Sequence, residues 1–80
     1  MSVFMSMNRV YEAVMLEAAK DPSRNRWVKG QLRSLQEIVD RLTEIEHLNE
    51  DEADDLTSTI YEGETYLTEI LERKRRRRSR

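Results

Sequence analysis

Two apolar seams with helical spacing restrict the fold of this chain more than any other feature. The first runs Val28, Leu32, Leu35, Val39, Leu42 and Ile45, in steps of three and four residues that place one side chain per turn on one helix face. The second runs Ala53, Leu56, Ile60, Gly63, Leu67 and Ile70, with the same alternation. Antiparallel helices joined by a tight turn should pair residues whose numbers add to a constant. Ile45 with Ala53, Leu42 with Leu56, Ile38 with Ile60, Leu35 with Gly63 and Val28 with Ile70 all add to 98, and Leu32 with Leu67 to 99, which centres the turn on Asn49. The expected fold is all-α: a long antiparallel hairpin over 24–48 and 50–74, with Trp27, Ile38 and Leu48 widening the first stripe.

A third, shorter helix is expected over 4–20, where Phe4, Met7, Tyr11, Val14 and Ala18 share a face broadened by Val10 and Met15. Asp21-Pro22-Ser23 ends it, since proline disfavours helical geometry in the residue before it and suits the first position of a new helix. Asn49-Glu50-Asp51-Glu52 opens the last helix: a short polar side chain precedes glutamate by three residues, and the acids suit the positive end of the helix dipole.

The two glycines both fall inside helical patterns. Gly63 is expected opposite Leu35, where a missing side chain admits a bulky neighbour. Gly30 should weaken its helix by about 1 kcal/mol against alanine, so the first turns would either fray or pack closely against the N-terminal helix.

Each hairpin helix would span about 36 Å at about 1.5 Å per residue. Two helices cannot enclose their own seams, and a chain of 80 residues buries little surface by itself. The N-terminal helix can cover part of the hairpin. A second copy could complete a helical bundle, so a homodimer or higher oligomer is expected. Tyr61, Tyr66 and Trp27, all displaced from the seam, are the candidate partner contacts. The chain divides into a helical domain, 1–72, and a basic tail, 73–80.

Catalytic chemistry has little to draw on. There is no cysteine, one histidine, and no phosphate loop, zinc-ligand pattern or nucleophile motif. His47 lies at the acidic turn, away from any nucleophile. Glu44 and His47 have the Glu-x-x-His spacing of carboxylate-bridged metal pairs in helical bundles, but the inward seam of Leu42 and Ile45 turns Glu44 away from a shared core. The expectation is a non-enzymatic protein without a cofactor or bound metal.

Charge supplies the functional signal. The net charge of −2 conceals a separation: residues 73–80 hold seven of the fourteen basic side chains, leaving residues 1–72 with seven positive and sixteen negative charges. Arg73, Lys74, Arg75, Arg76, Arg77, Arg78 and Arg80 repel one another unless an anion neutralises them. Guanidinium groups engage two phosphate oxygens at once, so nucleic-acid binding is the leading expectation. No aromatic residue interleaves the run, which points to backbone contacts with little sequence preference.

The hairpin would bring that run close to Lys20, Arg24, Arg26, Lys29 and Arg33, and would gather Glu44, Glu46, Glu50, Asp51, Glu52, Asp54 and Asp55 at the opposite end. The expected molecule is a polarised rod. It reads as a nucleic-acid-associated adaptor or assembly protein that multiplies its basic tails by oligomerising. The competing reading is a small regulatory or inhibitory protein that docks on a larger one through its helical face and the acids Glu50, Asp51, Asp54 and Asp55; small viral and phage proteins take both forms. With neither a signal-peptide pattern nor a membrane-length apolar run, the sequence reads as cytoplasmic, or nuclear if its source is a eukaryote or a eukaryotic virus.

Overall fold

The computed structural model describes the backbone of residues 2–78 and the side-chain surroundings of residues 2–73. It is all-α, with the order α1 (Val3–Lys20), a single 3-10 turn (Pro22–Arg24), α2 (Asn25–Glu44) and α3 (Glu50–Arg78). The long hairpin and the shorter N-terminal helix are present as expected. The three helices form an elongated bundle with overall dimensions of 50 × 19 × 15 Å.

Each boundary has a local cause. Ser2 caps α1, its Oγ accepting from the Met5 N–H at 3.1 Å. Asp21 ends α1 in extended backbone and starts the next turn, accepting from both the N–H and the hydroxyl of Ser23, with Pro22 at the first position of the 3-10 turn. Asn49 and Glu52 form the expected reciprocal capping box: the Glu52 N–H donates to Asn49 Oδ1 at 2.8 Å and the Asn49 N–H to Glu52 Oε1 at 3.2 Å.

The C-terminus of α2 departs from the expected boundary. The helix stops at Glu44 rather than near residue 48, because Glu46 adopts the left-handed conformation with φ 64°. The His47 N–H then reaches back to the Leu42 carbonyl and the Glu46 N–H to that of Thr43, the two bonds of a Schellman cap. Glycine usually holds this position; glutamate there costs of order 1 kcal/mol. The turn carries Leu48 back under the bundle, where it is buried as part of the core rather than as an extension of a helical stripe.

This earlier stop shifts the hairpin register. A Cβ placed on Gly63 would lie 3.3 Å from Leu32 Cδ1, and Gln36 Nε2 donates to Thr57 Oγ1 at 3.0 Å, so paired numbers add to 95 and 93 rather than 98. On a sum of 95, Val28 meets Leu67, Leu35 meets Ile60 and Val39 meets Leu56, and all six are buried. The 98 register fails at Ile38 and Ile45, which were expected to face inward and are 47 % and 62 % exposed. The reason is angular: at about 100° per residue, Ile38 and Ile45 sit about 100 to 120° off the Val28–Leu32–Val39 line.

α1 lies across the seam, with Met7 and Ala18 buried and Phe4, Tyr11, Val14 and Met15 packed on the core. Val10, expected to broaden this face, is exposed. Gly63 accommodates α1 rather than Leu35: a Cβ there would fall 2.7 Å from Tyr11 Oη and 3.1 Å from Tyr11 Cε1. Gly30 neither frays its helix nor meets a neighbour; α2 runs through it, and nothing lies within 4 Å of where its Cβ would be.

Candidate nucleic-acid interface

The basic end is built by the length difference between α2 and α3. With 29 residues against 20, α3 outruns its hairpin partner. In the observed register residue 70 is level with the start of α2, so the backbone of residues 71–78 continues about 12 Å past it at about 1.5 Å per residue. The helix holds through Arg78, so the basic run of residues 73–78 is carried on a projecting helical end. Arg73 is exposed; the side chains of Lys74, Arg75, Arg76, Arg77 and Arg78, and the whole of Arg80, lie outside the described residues.

α2 contributes a second set at the same end. Arg26, Lys29 and Arg33 are three and four residues apart and share one flank, within about 60° of arc. Arg26 and Arg33 are exposed and Lys29 half-buried, and none forms an ion pair among the described residues. Gln36, whose amide reaches Thr57 of α3, continues the same flank, which therefore runs beside the hairpin groove.

Arg24, grouped with this cluster on sequence, is turned elsewhere. Its Nη1 lies 3.3 Å from Glu17 Oε2 of α1, and its guanidinium stacks over Trp27, 4.4 Å from the ring centroid. Exposed pairs of this kind contribute little to stability. Their effect is placement: Arg24 and Trp27 are fastened to each other on the α1 side of α2, with Trp27 about 100° round from Arg26.

At the opposite end, Glu44, Glu46, Glu50, Asp51, Asp54 and Asp55 are exposed, while Glu52 is engaged in the capping box. Glu50 and Asp51 occupy the first turn of α3, where carboxylates offset the helix dipole, so local helix chemistry accounts for part of the acidity. His47 is exposed in the turn beyond α2. Glu44 and His47 therefore do not project from successive turns of one helix, and no cluster of three or more metal-capable side chains occurs among the described residues.

Tyr61 and Tyr66 are both exposed, but five positions set them about 140° apart, so they do not make one surface. One residue that drew no attention in the sequence is placed inside. Asn25, the first residue of α2, is buried, and its Oδ1 has no hydrogen-bond partner among the described residues. Tyr11 fits against Gly63 with its phenol pushed above its ordinary pKa, first by burial and then by the nearby Glu62 carboxylate. The sequence signals for that contact were the place of Tyr11 on the apolar face of α1 and the missing side chain at Gly63.

No family model, no curated protein and no solved structure matches this chain. Among the described residues, no helix is long and apolar enough to cross a membrane.

Proposed function

We propose that this protein is a non-enzymatic, nucleic-acid-associated adaptor that contacts phosphates through the basic end of its helical rod. The observation that carries the reading is the projecting end of α3: residues 73–78 are basic without interruption and ride on helix that extends past the bundle. Within one chain the acidic tip lies at the other end of the rod, some 50 Å away. Arg26, Lys29 and Arg33 extend the basic surface back along α2, and oligomerisation would multiply both sets.

The test is duplex DNA binding by the full chain across a range of salt. With up to seven phosphates engaged by residues 73–80, the slope of log affinity against log salt should approach about −6 per chain. Replacing Arg75, Arg76, Arg77 and Arg78 with glutamine keeps helix-forming side chains and should reduce the magnitude of that slope by about 3 to 4. Unchanged affinity and slope in this variant would overturn the proposal. The exposed acids Glu50, Asp51, Asp54 and Asp55 favour a second reading, docking on a basic surface of a larger protein. One protein partner, recovered after nuclease treatment and lost on neutralising these acids but not the arginines, would select it.

A further inference from the structure

α2 carries a second apolar strip beside its buried seam. Trp27, Gln31, Ser34, Ile38, Arg41 and Ile45 follow one another in steps of four and three, the spacing of a helix–helix contact. Gln36, which joins α2 to α3, lies on the far side of the helix from this strip, so the strip belongs to the flank away from α3. The Glu17–Arg24–Trp27 contacts fix that flank as the one beside α1.

α1 supplies a matching strip. Val3, Val10 and Glu17 recur at sevens, with Ser6 and Ala13 between them. Because α1 and α2 run antiparallel from the turn at residues 21–24, Glu17 is level with the Trp27 end, Val10 with the region of Ser34 and Val3 with that of Arg41. Val3, Val10 and Trp27 are 36 % to 46 % exposed, comparable with Ile38. In a chain that is 38 % charged, eleven residues of strip should hold about four charges, yet they hold two, Glu17 and Arg41, and Glu17 is already paired with Arg24. Solubility alone does not select such a surface.

We infer that this α1–α2 face binds the same face of a second copy, with the two α2 helices antiparallel about a two-fold axis near Ser34 and Ile38. Charge sets the direction. A parallel pair would stack the arginine ends on each other, the acidic tips on each other and Arg41 on Arg41. The antiparallel pair lays the basic end of each copy along the acidic tip of the other. Its register sets Trp27 against Ile45 of the second copy, the small Ser34 against Ile38, and Gln31 against Arg41, whose guanidinium then lies on the side of Glu17. The strip, about 30 Å long and two helices or about 20 Å wide, offers about 600 Å² per copy, which reaches the about 1,200 Å² total at the lower limit of specific interfaces. The inference gives the oligomer in the proposed function a surface and an orientation. It leaves an arginine end at each end of the dimer.

Sedimentation of the full chain tests the pairing, and a spin-label distance tests its direction. The wild type should sediment with twice the chain mass and Ile38→Glu with the chain mass, both equally helical by circular dichroism. Should Ile38→Glu fail to fold, Val10→Glu replaces it, since Val10 lies on the other helix of the same strip. With a label on Glu44→Cys, an exposed position off the strip in an otherwise cysteine-free chain, the antiparallel dimer sets the two labelled positions about 24 Å apart along the axis, against a short, purely lateral distance for a parallel pair. A monomeric wild type, a dimer indifferent to either glutamate, or the short distance would each overturn the inference. Salt-dependent DNA binding by the arginines is read separately, so either proposal can fail without the other.

Discussion

The two strips of α2 have the same spacing but different fates, the first apolar throughout and the second apolar at three positions of six. Val28, Leu32, Leu35 and Val39 are closed by α3 and α1 within one chain. Trp27, Ile38 and Ile45, about 90 to 110° round the helix, stay half open to solvent. Periodicity identifies a face that contacts something. It does not say whether the partner is in the same chain, and only the register, set by where the turn falls, separates the two.

Truncating each strip should sharpen the contrast most. Leu32→Ala removes a fully buried side chain beside Gly63 and should lower unfolding free energy by about 2 to 5 kcal/mol in urea titrations, enough to unfold much of a small domain. Ile38→Ala, measured at high dilution where any dimer is dissociated, should cost less than about 1 kcal/mol. Equal losses would mean that Ile38 belongs to the intramolecular core after all.

The glycines repeat the comparison at smaller scale and with opposite signs. Gly63→Ala places a methyl against the Tyr11 ring and Leu32, and overpacking of about 1 to 3 kcal/mol should exceed the about 1 kcal/mol gained in helix propensity. In a Tyr11→Phe background the nearest atom is gone and the loss should shrink. Gly30→Ala meets nothing and should stabilise by about 0.5 to 1 kcal/mol. Shifts of urea midpoint, with slopes unchanged, would check all three.

Much of this architecture was legible in the sequence. Three helices, the Asp21-Pro22 break, the Asn49–Glu52 capping box and a basic end opposite an acidic one follow from spacing, proline geometry and capping chemistry. The register did not follow, for a definite reason. Ile38 and Ile45 satisfy a pairing sum of 98 as neatly as the true core satisfies 95, and the deciding residue, Glu46, is a glutamate where a left-handed cap would announce itself as glycine. Arg24 misled in the same way. Its charge placed it with Arg26, Lys29 and Arg33, whereas its stacking on Trp27 and its contact with Glu17 depend on the path of the 3-10 turn. The phosphate-binding role proposed for the arginine end rests on charge and projection, both readable from the chain once the helix lengths are known.

The division of α2 into a self-satisfied face and a face awaiting a second copy is tested most directly by how thermal unfolding depends on protein concentration. That division predicts a wild-type midpoint that rises with concentration, as it must when association stabilises the folded chain, and an Ile38→Glu midpoint that stays fixed. A wild-type midpoint that does not move, or an Ile38→Glu midpoint that climbs in parallel with it, would contradict it.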